Sequence, residues 1–131
     1  MTPFSLKIVT PDGMEFEGQA EEVIVRTVSG DIGILAGHTD CVAPLGMGRA
    51  TVVIDGQKRY AACIGGMLSV LDGAVRLVAT TWEWAEDIDA ERAKASQTRA
   101  EAELKSQDRQ ARALAEARLR RSLVRQRVAA K

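Results

Sequence analysis

The chain stops using glycine and proline after residue 73: all 11 glycines and all 3 prolines lie before residue 74. Glycine and proline break helices and furnish turns. A segment that drops both and fills with Ala, Arg, Glu and Gln is predicted to be helical, following a turn-rich part of another kind. The charge changes at nearly the same place. The overall balance is zero, but residues 1–84 hold 6 basic and 10 acidic residues (−4) and residues 85–131 hold 12 and 8 (+4). A length of 131 residues suits one small domain with an appendage. The two parts are therefore taken as 1–84 and 85–131.

The first part reads as sheet. Phe4, Leu6 and Ile8 alternate with Ser5, Lys7 and Val9, the period of a half-buried strand. Pro11-Asp12-Gly13 is turn chemistry, and Met14 and Phe16 then alternate with Glu15 and Glu17. Val23, Val25 and Thr27 alternate with Ile24, Arg26 and Val28. Asp55-Gly56 and Asp72-Gly73 each separate β-branched runs, a strong hairpin signal. About ten short strands, with no helix pattern between them, predict a flattened antiparallel β-sandwich. With the helices that follow, the fold class is α+β.

Several chemistries are excluded by residue type and spacing. Gly30, Gly33 and Gly37 surround His38, the single histidine, but no lysine completes a phosphate loop and no GxGxxG is present. One histidine and two scattered cysteines give no metal-ligand spacing. No nucleophile, base and orienting group are set out for catalysis, so no enzyme is expected. Cys41 and Cys63 read as two reduced, buried thiols. The sequence contains no run of 18 apolar residues that could span a bilayer, and the N-terminus lacks a secretory leader pattern.

In the second part, Asp87 or Asp89 can cap a helix whose face is Ala90, Ala93, Gln97, Ala100 and Leu104. Residues 106–108, Ser-Gln-Asp, are a turn. A second helix follows, with Ala115, Leu119 and Leu123 as its apolar line. It carries Arg118, Arg120, Arg121, Arg125 and Arg127. Such a run is a solvated face, a surface for acidic partners or nucleotides, or a nucleic-acid contact. The last would make the chain a stand-alone Arg-rich nucleic-acid-binding module. The absence of interleaved aromatics and the zero net charge speak against that alternative. Trp82 and Trp84 flank Glu83 at the junction, either as a packed hydrophobic hinge or as a base-stacking surface.

Gly30, Gly33, Leu35, Gly37, His38, Leu45 and Gly48, with an extra Gly46, resemble the loop pattern of the epsilon subunit of F-type ATP synthase. Ala36 stands where that family usually has proline. The order of β-domain, loop, "IDAERA" and Arg-rich helix resembles the family over essentially the whole chain. The resemblance implies a ten-stranded sandwich and a helical hairpin in a non-catalytic rotor subunit of a proton-translocating complex. It implies the gamma subunit and the membrane c-ring as partners of the sandwich, with Asp31 and His38 as contact residues. It implies that the hairpin, when extended, reaches the alpha and beta subunits through Arg118, Arg120, Arg121, Arg125 and Arg127 and inhibits ATP hydrolysis. Residues 88–93 fit the family pattern [IL]DxxRA for ATP on the folded hairpin. Glu83, Ile88, Asp89, Arg92 and Ala93, together with Arg99, Arg121 and Arg125, are the corresponding nucleotide-site positions. ATP would be a regulatory ligand, with no cofactor or magnesium required. The implied location is peripheral, at the cytoplasmic face of the bacterial inner membrane.

Overall fold

A computed structural model describes residues 2–130, which divide into two compact units, one ending at Trp84 and the other beginning at Ala85. The first consists of β1 (Phe4–Thr10), β2 (Gly13–Ala20), β3 (Glu22–Thr27), β4 (Gly30–Ile34), β5 (Cys41–Pro44), β6 (Met47–Ile54), β7 (Gln57–Leu71) and β8 (Ala74–Trp84). They form one continuous hydrogen-bonded sheet in the order β2-β1-β8-β7-β6-β3-β4, with β5 on β7.

The eight strands account for the expected ten because β7 and β8 serve two layers. Residues 57–64 of β7 pair with β6, while residues 67–70 pair with β5. The change of partner falls at Gly65 and Gly66, whose φ values of +72° and +118° break the regular strand. Gly66 admits no substitute. A Cβ there would stand 2.0 Å from the Val78 carbonyl oxygen. The bend is held by backbone bonds from Leu45 N–H to Gly66 O (2.8 Å) and from Gly65 N–H to Gly46 O (3.0 Å). One layer is then β2-β1-β8-β7-β5 and the other β8-β7-β6-β3-β4. The antiparallel expectation is corrected at one pair: β1 and β8 run parallel. They are far apart in the chain, so no tight turn dictates their direction.

Local chemistry explains the hairpins. Asp55-Gly56 and Asp72-Gly73 have positive φ at both residues, as type I′ turns require. Thr10 and Thr27 build two further turns of identical design. Each hydroxyl donates to the carbonyl three residues on, Gly13 or Gly30, and accepts the N–H two residues on, Asp12 or Ser29. The core lies between the layers. Ile8, Leu77 and Leu68 form a fully buried cross-strand row on three neighbouring strands. Each such side chain contributes roughly 1.5–3 kcal/mol on burial.

The second unit begins with a 3-10 turn at Ala85–Asp87, followed by α1 (Ala90–Glu103) and α2 (Arg109–Ala129). Of the two candidate caps, Asp89 is used: its carboxylate accepts the Arg92 N–H at 3.0 Å. The turn predicted at 106–108 is present. Ser106 Oγ accepts the Asp108 N–H, and Asp108 in turn caps α2 through the Gln110 N–H. Gln97 to Gln126 (2.8 Å) and Glu103 to Arg118 (2.9 Å) show that the helices run antiparallel.

The seam between them differs from the expected lines. On α1, Ala93 and Ala100 are buried, Gln97 and Leu104 are half-buried, and Ala90 is exposed. On α2 the expected line Ala115, Leu119 and Leu123 is corrected to Ala115, Ser122 and Val128; Leu123 is exposed. Small side chains at seven-residue spacing let the backbones approach. Ser122 tolerates burial because its hydroxyl donates to the Leu119 carbonyl at 2.8 Å.

Candidate functional site

Three surfaces hold the residues of interest. The first is the outer face of the layer that contains β5, β7, β8, β1 and β2. The register aligns Pro44 with Met67, Met67 with Val78, Val78 with Val9, and Val9 with Met14. Cross-strand partners share a face, so these five residues form one apolar row across five strands. It points outward: Met14 is 52%, Met67 43% and Val78 45% exposed. The neighbouring outward row, Val42, Ser69, Arg76, Lys7 and Glu17, is mainly polar, and Lys7 and Glu17 pair at 3.4 Å. The apolar row escaped the sequence reading because Met14 was read on one face with Phe16; a register shift opposite Ile8 and Val9 corrects this, turning Met14 outward beside Val9 while Phe16 packs against the core. The available signal was apolar residues recurring at outward positions of several strands.

The second surface is the glycine loop. Asp31 pairs with Arg26 on the adjacent strand, Oδ1 to Nε 3.0 Å. His38 is half-buried, and its Nδ1 lies 2.7 Å from the Thr39 carbonyl oxygen. A carbonyl only accepts, so Nδ1 carries the proton. Asp40 accepts the Asp72 N–H at 2.9 Å, which ties the loop to the β7–β8 turn. Asp31 and His38 thus sit on the same hairpin and loop but do not contact each other through any side-chain bond described. Among the described residues no cluster of three or more His, Cys, Asp or Glu is arranged to hold a metal ion. Neither cysteine is bonded. Cys63 is buried, with its thiol pushed up to about 12 by desolvation, whereas Cys41 is half-buried, which corrects the expectation of two buried thiols.

The third surface is the hairpin. Arg92 and Arg99 are exposed, and Arg121 and Arg125 are half-buried. The antiparallel register places Arg99 between the levels of Arg121 and Arg125. Arg92 lies two turns further along α1, about 10 Å at 1.5 Å per residue. Arg92, Arg99 and Arg121 form no ion pair with the described residues, while Arg118 is held by Glu103. Arg120 and Arg127 are exposed. Ile88 is half-buried, Ala93 lies in the interhelical seam, and Asp89 is engaged as the cap. Glu83 belongs to the sandwich unit, on β8.

Trp82 and Trp84, 4% and 6% exposed, are members of the sandwich core. They meet edge to face at 5.2 Å, and the Arg59 guanidinium lies 3.8 Å from the centre of a Trp84 ring. Rings buried in this way offer no surface for stacking a base, so the packed reading holds.

Residues 3–85 match the family described as ATP synthase, Delta/Epsilon chain, beta-sandwich domain. The chain is 39% identical over 131 residues to the ATP synthase epsilon chain of Shouchella clausii, covering 98% of this chain and 96% of that one. It is 44% identical over 107 residues to the ATP synthase epsilon chain of Bacillus subtilis, covering 82% and 81%. It is also similar to a chain in the Euglena gracilis mitochondrial ATP synthase structure of OSCP, F1 and c-ring. There the TM-score is 0.83 at 27% identity, covering 92% of this chain and 77% of that one. A chain of the Tetrahymena thermophila mitochondrial ATP synthase central stalk and c-ring shares the fold, with a TM-score of 0.66 at 11% identity over 95% of each chain. The chain belongs to the epsilon-chain family of ATP synthase, an accessory subunit that is not itself catalytic. The Shouchella match extends through the Arg-rich helix, which removes the ground for treating that helix as a separate nucleic-acid module. Among the described residues no helix is long and apolar enough to cross a membrane.

Proposed function

We propose that this chain is the rotor subunit that couples gamma to the c-ring in a proton-translocating F-type ATP synthase. The observation that carries this is the outward apolar row Pro44, Met67, Val78, Val9 and Met14. An apolar strip rimmed by charge on a rigid sheet is the kind of surface that a protein partner covers. Gamma is that partner. The glycine loop with Asp31 and His38 contacts the ring, and the subunit is peripheral, at the cytoplasmic face of the bacterial inner membrane. Val78→Lys tests the gamma assignment. The residue points outward, so the chain should fold normally, yet its capture by ATP synthase stripped of epsilon should fall sharply. Capture at the parental level would place gamma on another face.

We propose further that the hairpin regulates ATP hydrolysis. Extended, it meets acidic surfaces of the alpha and beta subunits through Arg118, Arg120, Arg121, Arg125 and Arg127. Folded, it binds ATP as a signal through the Arg92, Arg99, Arg121 and Arg125 guanidiniums, with Glu83, Ile88, Asp89 and Ala93 completing the site. The support is that the antiparallel register sets Arg99 on α1 at a height between Arg121 and Arg125 on α2. Guanidinium forks suit phosphate oxygens. A ligand at a hundredfold excess over its Kd stabilises the form it binds by about 2.7 kcal/mol, enough to move a balanced switch. Calorimetric titration with ATP should give saturable heat that Arg92→Ala reduces. Absence of heat in the parent chain would remove the nucleotide role and leave the rotor role standing.

A further inference from the structure

The outward apolar row contains two kinds of side chain. Pro44, Val78 and Val9 are plain hydrocarbon, whereas Met67 and Met14 each carry a thioether sulfur. The chain has four methionines, and among the described residues both exposed ones stand in this row. Met47, on β6, is half-buried. Met67 on β7 and Met14 on β2 lie on either side of the central Val78–Val9 pair. Adjacent strands stand about 4.8 Å apart, so the two methionine positions are about 14 Å apart. A partner that covers the central valines therefore reaches a methionine on each side.

The thioether is the one side-chain group in this row that a mild oxidant converts. Its sulfur attacks one oxygen of hydrogen peroxide. An S–O bond forms, the O–O bond breaks, and the second oxygen leaves with both protons as water. The sulfur loses two electrons and the peroxide gains them. The product, methionine sulfoxide, is polar, and methionine sulfoxide reductases return it to the thioether. On an exposed face the sulfoxide oxygen is hydrated. Beneath a partner it must give up that water, and the proline and valine side chains beside it offer no donor in exchange. The other sulfurs are less open to the reaction. Cys63 is buried and desolvation pushes its thiol up to about 12, which leaves little of the reactive thiolate, and Cys41 is half-buried.

We infer that Met14 and Met67 are paired, reversible oxidation sites for hydroperoxides, and that their sulfoxides keep the unassembled subunit off gamma. This rests on the assignment of the row to gamma proposed above. Once gamma covers the row, the same sulfurs are shielded, so the switch acts on the free chain and not on the assembled rotor.

Graded hydrogen peroxide, followed by peptide mass mapping, should oxidise Met14 and Met67 of the free chain before Met47. In the assembled enzyme both should react about tenfold or more slowly than in the free chain. The oxidised chain should keep its melting temperature, yet its capture by ATP synthase stripped of epsilon should weaken about tenfold or more, and sulfoxide reductase should restore it. Met14→Leu/Met67→Leu retains both cysteines and Met47. Compared with its own untreated sample, its capture should change less than about twofold on the same treatment. Parental capture of a chain carrying both sulfoxides, while Val78→Lys still blocks capture, would overturn the inference and leave the gamma face intact. Parental capture of Val78→Lys would overturn that face and this inference with it. An equal loss in the double leucine variant would assign the effect to another sulfur, and a lowered melting temperature would assign it to the fold. Either result would overturn the inference.

Discussion

The sandwich hides Leu6, Ile8, Ile34, Leu68, Leu77, Trp82 and Trp84, whereas the hairpin hides Ala93, Ala100, Ala115, Ser122 and Val128. Both units contain fully buried positions, but the side chains at those positions differ in what they contribute. Burial is worth about 25 cal/mol per Å² of apolar surface, so a leucine buried between layers contributes several times what an alanine in a seam does. The sandwich has its backbone bonds distributed through an eight-stranded sheet. The helices are joined across the seam by one side-chain amide bond and one ion pair among the interactions described. Within one polypeptide, a firm body and a soft pair of helices therefore follow from residue size. The rotor and regulatory roles proposed above, one part transmitting torque and the other changing conformation, call for that contrast.

The contrast can be broken most severely at Gly66. Gly66→Val puts a side chain where the Val78 carbonyl already lies, and the bend that creates the second layer cannot form. The loss should exceed about 4 kcal/mol, and thermal unfolding should show no cooperative sandwich transition. A normal melt would mean that the layers do not depend on the bend. A smaller and more local effect is expected from Ala100→Leu in the seam. Overpacking there should destabilise the helices by about 1–3 kcal/mol, read as early loss of the 222 nm signal. The Trp82 and Trp84 emission should not change at the same temperature. If the tryptophan signal moves together with the helical one, the two units are not as separate in stability as their cores imply. The smallest effect is expected from Glu103→Gln. The side chains of Glu103 and Arg118 are 37% and 38% exposed, so removing the pair should shift helix stability by no more than about 1 kcal/mol, and less in high salt. A larger shift would make the ion pair, and not the small-residue seam, the principal fastening of the hairpin.

Much of this arrangement was legible from residue order. Asp-Gly pairs between β-branched runs can hardly form anything but tight hairpins, and both occur at their expected places. Asp89 was one of two caps read for the first helix and residues 106–108 were read as a turn; the structure adds that Asp108 caps the second helix, its carboxylate accepting an otherwise unpaired N–H. The α2 face was less legible. A residue-by-residue reading selects Leu119 and Leu123 as core, yet the helices approach so closely that Ser122 takes the buried place and Leu123 remains in solvent. The apolar row was hidden for another reason: its five members come from five strands, and a row is defined only once the register is fixed.

The sequence by itself determined where sheet ends and helix begins and where the chain turns, because these depend on neighbours within a few residues. Only the tertiary structure decided that β7 and β8 bend through both layers and that five outward side chains join into one surface. Each of those is a relation between residues distant in the chain. No local preference encodes such a relation until backbone pairing brings the residues together.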